Sequence, residues 1–210
     1  MTAGPTFEPL DGARRLTNFS TGRLGTELAN FLTARGHEVT LFIGQQSTYA
    51  GERRAEHIDT FSTTADLAAK LQALGGSVGA VFHAAAVSDF AFGKIWARSA
   101  TGELTEIKSG KISTRHGALL AELVPTQKII ANLRGWFPKA HIVGWKYEVD
   151  EDRSDVIRAA EKQIAECSTN ASVANGPAYG NGFGLVTANG ACTHLADRPV
   201  LFDALERSIR

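Results

Sequence analysis

The sequence lacks the features of a disulfide-rich, membrane-spanning or nucleic-acid-binding protein. Its two cysteines, Cys167 and Cys192, are too few for a disulfide framework and lack metal-ligand spacing. No apolar run approaches the roughly 20 residues of a membrane span, and the first residues show no secretion signal. The 22 basic and 22 acidic residues balance, which disfavours a general nucleic-acid binder. These absences predict a cytoplasmic protein without membrane or nucleic-acid partners.

Glycine, in contrast, is abundant, with 21 residues among 210 and no glycine repeat. This abundance predicts many tight turns or close contacts between the backbone and a ligand. Since domains average roughly 150 residues, the length favours one large domain or one domain with a flap.

Short apolar runs alternate with helical patterns along most of the chain. Strands are predicted at 37–43, 57–61, 79–83, 141–145, 171–174 and 183–187. Helices are predicted at 22–35, 125–133, 154–167 and 200–209, and another at 63–74 with Thr63 as its N-cap and Gly75-Gly76 as its stop. The alternation predicts a Rossmann-like α/β fold with three layers, in which helices cover both faces of a mostly parallel sheet. Ligands in such sheets bind beyond the carboxyl ends of strands.

Residues 88–115 differ from this pattern, because they are rich in Gly, Ser, Lys and Thr and have weak periodicity. We interpret them as a long loop or flap that can hold a short strand pair. Lys111 follows Gly110 in this flap and could close over a triphosphate as a mobile positive charge. A solvated loop lysine is the alternative.

The segment Asn18–Gly25 places Gly, Ser and Thr where a helix begins. Free backbone N–H groups and the helix dipole favour an anion such as phosphate there, although an ordinary N-cap and turn glycine is the alternative. The spacing is not that of a dinucleotide-binding glycine motif. The strand at 37–43 also leads into Gly44-Gln45-Gln46, without an acid to bind a ribose. A nicotinamide cofactor is therefore disfavoured.

The run Ala84–Asp89 follows a predicted buried strand. Its three alanines would let a ligand approach the backbone closely, and Asp89 comes where the chain emerges. Tight helix–sheet packing with Asp89 as a cap is an equally good interpretation. The six histidines are scattered without ligand spacing, so we predict no histidine metal site.

Taken together, several motifs are similar to those of a known enzyme family. The most specific is Thr2-Ala-Gly-Pro-Thr-Phe-Glu-Pro-Leu-Asp11, followed by Arg14 and by Asn18-Phe-Ser-Thr-Gly-Arg-Leu-Gly25. The likeness continues in order through Ala84–Asp89, Gly110–Ser113, Leu123–Thr126, Val143–Glu148 and Val173–Asn175. Over nearly its whole length the chain resembles the phosphopantothenate–cysteine ligases, or phosphopantothenoylcysteine synthetases, in their free-standing form.

The resemblance implies a single synthetase-like domain over residues 1–210, with the flap at about 88–115. It implies a ligase of coenzyme A biosynthesis that activates the carboxylate of 4′-phosphopantothenate with CTP or ATP. With Mg²⁺ present, an acyl-nucleotide forms, pyrophosphate leaves, and the amine of cysteine attacks to make an amide. The resemblance also implies a homodimer. No flavin is expected, because the free-standing form carries no flavin-binding decarboxylase domain.

The resemblance also implies roles for individual residues. Asn18 would stabilise or orient the acyl-nucleotide, since an amide donates to a developing oxyanion without titrating, and Arg14 would help convert it. Lys111 would screen charge on the triphosphate. Trp145 would lie beside the nucleotide base, and Asp89 would hold Mg²⁺ or a nucleotide hydroxyl. Ser20, Thr21 and Gly22 would hold the substrate phosphate. The full set of implied nucleotide-binding residues is Ala85, Ala86, Asp89, Lys111, Trp145 and Lys162.

Two departures from the family keep other functions open. Cys167 stands about where the family has the second of two lysines, of which Lys162 is the first, and Asn175 precedes Gly176 rather than an aspartate. One alternative is a nucleotide-dependent reductase, which the missing ribose-binding acid and the lack of a Tyr-x-x-x-Lys pair disfavour. The other is a non-catalytic nucleotide-binding protein, which CTP binding without pyrophosphate release would favour.

Overall fold

The computed structural model describes residues 1–75, 78–108, 110–150 and 152–210. Gly76 of the predicted helix stop and Ser109 of the predicted flap lie outside the described residues. The strands are β1 (Thr2–Ala3), β2 (Phe7–Pro9), β3 (Arg15–Thr17), β4 (Thr40–Gly44), β5 (His57–Phe61), β6 (Ala80–His83), β7 (Phe90–Arg98), β8 (Leu104–Glu106), β9 (Ala118–Pro125), β10 (His141–Tyr147), β11 (Ala171–Asn175), β12 (Phe183–Thr187) and β13 (Cys192–Leu195). The helices are α1 (Arg23–Ala34), α2 (Thr64–Leu74), α3 (Ile129–Trp136), α4 (Arg153–Cys167) and α5 (Arg198–Arg207), and a 3-10 turn covers Thr114–His116.

The central sheet has eight strands in the order β13-β12-β11-β10-β6-β1-β4-β5. The strands from β11 to β5 are parallel, and β12 and β13 add antiparallel pairs at one edge. The predicted mostly parallel α/β sheet is thereby confirmed. From β1 the chain moves outwards to β4 and β5, and then returns to β6 on the other side of β1. Open α/β sheets bind ligands where the strand order reverses in this way, beyond the carboxyl ends of the strands.

Helices cover both faces of the central sheet, as predicted. Leu28 of α1 and Leu201 of α5 are fully buried in one core cluster with Val143. Leu133 of α3 is buried in a second cluster with Ile142. Because successive strand residues point to opposite faces, these clusters form two layers that sandwich the sheet, each such side chain contributing about 1.5–3 kcal/mol. No helix in the described ranges has the length and apolar composition needed to cross a membrane.

Two helix starts follow from local sequence chemistry. The Thr63 hydroxyl accepts the N–H of Asp66 at 3.1 Å, which confirms the predicted N-cap of α2. Asp152 caps α4 by accepting the N–H groups of Ser154 and Asp155, and the Asp155 carboxylate accepts the N–H of Asp152 in return. Loss of such a cap typically costs about 1 kcal/mol. Both starts are therefore favoured locally, before the helices pack.

The segment predicted as a flap over 88–115 is larger than expected. It forms an antiparallel sheet of three strands in the order β8-β7-β9, which we call the flap sheet, and it extends to Pro125. All eight residues of β9 are exposed. No strand is predicted over β9, because its apolar residues do not alternate with polar ones as they would above a single buried face.

A short hairpin formed by β2 and β3 was also not predicted. Phe7 pairs with Thr17, and the Thr17 hydroxyl donates to the Thr6 carbonyl oxygen at 2.8 Å. We call Thr6, Thr17 and Asn18 the hairpin base, and residues 10–14 the hairpin tip. Strands of three residues are too short to show a periodic pattern, so the sequence indicated only a loop after β1.

Candidate active site

The carboxyl ends of β1 and β6 meet where the strand order reverses, and the chain leaving each strand stays paired there. The Ala86 N–H donates to the Gly4 carbonyl oxygen at 3.0 Å, and the Thr6 N–H donates to the Ala86 carbonyl oxygen at 3.1 Å. The Ala85 N–H donates to the Thr2 hydroxyl at 3.2 Å. The backbone of the predicted nucleotide-binding alanines is therefore fixed by an extension of the parallel pairing beyond the strands themselves.

Asn18 contacts this alanine segment directly, although 68 positions separate the two in sequence. Its Nδ2 donates to the Ala86 carbonyl oxygen at 3.1 Å. Because a carbonyl oxygen only accepts, this bond fixes the orientation of the amide, and an amide nitrogen carries a second hydrogen. The exposed side chain can therefore donate to a developing negative charge, as its implied role requires. The structure brings Asn18, Ala85 and Ala86 together, as the resemblance implied.

The start of α1 has the character of an anion site. Gly22 precedes the helix with φ 79°, and a Cβ there would lie 1.9 Å from the Ser47 hydroxyl oxygen, so only glycine fits. The Ser47 hydroxyl and the Tyr49 N–H both donate to the Thr21 carbonyl oxygen, at 2.7 and 3.0 Å. The N-cap Gly22 has no side chain, the Thr21 hydroxyl accepts the Arg23 N–H at 3.3 Å, and the first turn of α1 holds no acid. Its positive end is therefore suited to a phosphate beside Ser20, Thr21 and Gly22.

The two predicted cationic residues, Arg14 and Lys111, meet at the hairpin tip. Both line a shallow depression of about 550 Å³ that also includes Ile112 and Ser113. Arg14 Nη2 donates to the Ile112 carbonyl oxygen at 2.7 Å. Arg14 is also ion-paired with the Asp11 carboxylate, so the hairpin tip brings together two cations and one anion.

The β2–β3 hairpin separates Arg14 and Lys111 from Asn18. Arg14 and Asn18 lie four residues apart along β3 and its end, and an extended strand rises about 3.3 Å per residue. The backbones of the two residues are thus roughly 13 Å apart. The candidate site is elongated, with a polar amide at the hairpin base and two cations at the hairpin tip.

Asp89 lies just before β7, and its side chain is exposed. Its carbonyl oxygen accepts the N–H of Thr126 at 2.9 Å, which anchors this start of the flap sheet. Among the described residues, no group of three acidic, histidine or cysteine side chains gathers as a metal cage. Mg²⁺ usually binds through one or two carboxylates together with substrate phosphates and water. Asp89 fits that mode, and its metal role stays a prediction.

Trp145 and Lys162 are not brought together. Trp145 is half-buried near the carboxyl end of β10 and packs with the α1 and α5 side of the core. Lys162 lies midway along α4 on the other side, is 73% exposed, and pairs with Glu166 at 3.8 Å. Cys167, at the position of the family's second lysine, is buried in the core, and burial raises the pKa of its thiol. The nucleotide-binding roles of Trp145 and Lys162 stay predictions.

Asn175 and Asp11 are two polar residues at this edge to which the sequence analysis gave no role. The Asn175 amide oxygen and the Trp145 indole nitrogen are buried without a hydrogen-bond partner in the described structure. Asn175 pairs in register with Tyr147, two residues after Trp145, so Asn175 and Trp145 lie on the same face of the sheet. Asn175 and Asp11 both occur in the motifs on which the family resemblance depends, and these motifs were the signal in the sequence that could have identified them as site residues.

His83 forms part of the floor below the alanine segment. Its Nδ1 lies 2.8 Å from the Thr2 hydroxyl. The same hydroxyl accepts the Ala85 N–H, so it joins the His83 ring to the backbone of the alanine segment. Burial lowers the pKa of His83 to about 4. The site floor therefore carries no histidine charge at neutral pH.

A sequence profile of the DNA/pantothenate metabolism flavoprotein C-terminal domain family matches residues 1–199. The chain belongs to this family. The coenzyme A biosynthesis bifunctional protein CoaBC of Thermococcus kodakarensis is 33% identical over 175 residues, covering 83% of this chain and 40% of that protein. The chain therefore spans about two fifths of the length of this curated relative.

Two solved structures share the fold. The DNA/pantothenate metabolism flavoprotein from Streptococcus pneumoniae has a TM-score of 0.86 and 23% identity, covering 99% of this chain and 96% of that one. Cab2 mutant H337A in complex with phosphopantothenate-cysteine has a TM-score of 0.72 and 18% identity, covering 99% and 83%. At these identities the likeness concerns the fold, and it confirms the Rossmann-like architecture.

Proposed function

We propose that the protein is a ligase that joins 4′-phosphopantothenate to cysteine through an acyl-nucleotide. In the first step, a carboxylate oxygen of the substrate attacks the α-phosphorus of a nucleoside triphosphate, and pyrophosphate leaves. In the second step, the cysteine amine attacks the acyl carbon. The nucleoside monophosphate leaves with the bonding electrons of the acyl–oxygen bond, and the amine loses a proton.

The observation that carries this proposal is the bond from Asn18 to the Ala86 carbonyl oxygen at the reversal point of the sheet. The bond holds an amide donor at the alanine segment after β6, four residues before Gly22 at the start of α1, whose first turn holds no acid. A phosphorylated acid held by its phosphate at α1 would bring its other end towards Asn18. There the amide would stabilise charge as the acyl carbon is attacked.

The hairpin tip would serve the first step. Arg14, for which the resemblance implied a role in converting the acyl-nucleotide, shares one depression with Lys111, so both cations would also offset the charge that builds on the leaving pyrophosphate. CTP or ATP would supply the nucleotide, and Mg²⁺ would be held by its phosphates together with Asp89. The need for a nucleoside triphosphate favours a cytoplasmic location. The coenzyme A biosynthesis name of the Thermococcus relative and the ligand of the Cab2 complex support this substrate class.

The test is pyrophosphate release by the purified protein with Mg²⁺ and 4′-phosphopantothenate, comparing CTP with ATP, with and without cysteine. We expect release with at least one nucleotide and an amide product only when cysteine is present. Nucleotide binding without release would favour the non-catalytic alternative. Oxidation of a reduced nicotinamide cofactor in a parallel assay would favour a reductase.

We further propose that a second copy of the chain covers the flap sheet. Among the described strands β9 is at the edge of this sheet, and it exposes Leu119, Leu120, Leu123 and Val124. An exposed apolar edge strand is a template for pairing with another chain, and two-fold pairing of identical strands closes the assembly. Light scattering should give twice the mass of 22.4 kDa, and Leu123→Glu should halve it. A monomeric wild type would contradict the proposal.

A further inference from the structure

Asp11 makes an unusual number of contacts at the hairpin tip. Its side chain is only 1% exposed. The carboxylate accepts the N–H groups of Ala13 at 2.9 Å and Arg14 at 2.8 Å, and also Nε of Arg14 at 3.1 Å. It accepts a further bond at 3.0 Å from the N–H of Ile112, which is 101 positions away in sequence. One side chain therefore joins the hairpin tip to the flap segment.

The flap segment is held on both sides of Lys111. Before it, the Gly110 carbonyl oxygen accepts the Gly12 N–H at 2.8 Å. After it, Ile112 donates its N–H to Asp11 and accepts Nη2 of Arg14 on its carbonyl oxygen at 2.7 Å. The Ile112 side chain is itself 4% exposed and anchors the segment. The backbone on both sides of Lys111 is thus hydrogen-bonded to the hairpin tip.

We propose that Asp11 is a positioning residue, whose carboxylate aligns Arg14 and the backbone that carries Lys111 for the activation step. This inference rests on the proposed ligase function. Asp11 acts on the chemistry through these two cations, and its own carboxylate is occupied by protein donors.

Asp11 must be ionised to accept these hydrogen bonds on both carboxylate oxygens. The hydrogen bond from Arg14 and then that from the Ile112 N–H hold the pKa of Asp11 well below its usual range. The contact therefore persists throughout the neutral and mildly acidic range. In Asp11→Asn one carbonyl oxygen would remain for donors that now share two oxygens, and the new amide hydrogens would face those donors.

Hydrogen exchange is the direct readout, because the Ile112 N–H donates to the carboxylate. We expect the peptide covering residues 110–116 to exchange at least tenfold faster in Asp11→Asn than in the wild type. Asp59→Asn is the matched control, since it removes an exposed carboxylate that bonds Lys70 elsewhere. Unchanged exchange of this peptide in Asp11→Asn would overturn the proposal.

Gly12→Ala disturbs the same contact without changing a charge. A Cβ at Gly12 would lie 2.8 Å from the Gly110 carbonyl oxygen, so the two loops must separate. We expect faster exchange of the same peptide, with the carboxylate retained. This variant keeps the test available if Asp11→Asn does not fold.

Kinetics distinguish positioning from a merely structural role. In Asp11→Asn we expect kcat for pyrophosphate release to fall ten- to a hundredfold with little change in the nucleotide KM, because the cations remain but are misplaced. The double variant Asp11→Asn/Lys111→Ala should lose less than the product of the two single losses, since both changes affect the same group. Losses that multiply would contradict the proposal.

The two hypotheses can fail separately. A wild-type protein that releases no pyrophosphate would remove the proposed function. The exchange experiment would still decide whether Asp11 holds the flap segment.

Discussion

The central sheet and the flap sheet place functional residues by different physical means. At the central sheet, Ala86 is set by main-chain pairing that continues from buried strands, and the Asn18 side chain donates to its carbonyl oxygen. In the flap, the backbone next to Lys111 is held by the hydrogen bond from the Ile112 N–H to Asp11, while β9 is exposed along its whole length. The difference teaches that the amide belongs to the rigid part of the site. The cations belong to a part held by a few hydrogen bonds.

The largest difference between the central sheet and the flap sheet should appear in the free energy of unfolding. Ile142 is fully buried in the central sheet, and Leu120 on β9 is 39% exposed. We expect Ile142→Ala to lower the free energy of unfolding by about 2–5 kcal/mol. Leu120→Ala should change it by no more than about 0.5 kcal/mol at a protein concentration low enough for the chain to be monomeric, where β9 is exposed. Urea unfolding at two protein concentrations measures both. Equal losses would contradict the contrast between the sheets.

Asn18→Ala should affect catalysis without affecting the fold. Removing one donor to a developing negative charge typically costs about 10²–10³ in rate, whereas the side chain is exposed and carries little stability. Amide formation and accumulation of acyl-nucleotide measure the effect. Asn132→Ala is the matched control, because that amide also donates to a backbone carbonyl oxygen, at 3.0 Å, on α3. Unchanged turnover would remove Asn18 from the mechanism.

Lys111→Ala tests the cationic end of the site. We expect pyrophosphate release to fall about 10²-fold, with an unchanged midpoint of thermal unfolding because Lys111 is exposed. Lys94→Ala provides the control, since Lys94 is an exposed lysine of the flap sheet, on β7. Normal pyrophosphate release by the Lys111 variant would show that another cation screens the triphosphate.

A smaller effect should come from pH. The unfolded chain protonates His83 near pH 6.5, whereas burial lowers the pKa of His83 in the folded protein to about 4. The unfolded state therefore binds more protons as the pH falls, so stability decreases through this window. Between pH 7 and pH 5 the loss from His83 should be about 2 kcal/mol.

Comparison of His83→Asn with the wild type isolates this contribution. The Asn carbonyl oxygen can replace Nδ1 as the acceptor for the Thr2 hydroxyl, but it does not titrate. The free energy of unfolding should therefore depend less on pH in this variant. His116→Asn, in the exposed 3-10 turn of the flap, should retain the wild-type dependence. A full wild-type slope in His83→Asn would contradict the prediction.

The sequence predicted the elements that bury a continuous face or carry a local cap. α2 was placed by Thr63 and by its apolar spacing, and β5 was predicted with its observed limits of His57 and Phe61. The β2–β3 hairpin and β9 were missed, because the hairpin strands are short and β9 has no buried face. Pattern analysis depends on burial and fails where burial is absent.

The sequence by itself determined the alternating order of strands and helices and the glycine at the start of α1, and it supplied the candidate site residues that the family resemblance implies. These follow from local preferences and from motifs that are contiguous in the chain. Only the tertiary structure decided that Asn18 bonds Ala86, that Asp11 holds Ile112, and that Trp145 and Lys162 lie on different sides of the sheet. Contacts between residues far apart in sequence depend on sheet order and register, which leave no local pattern.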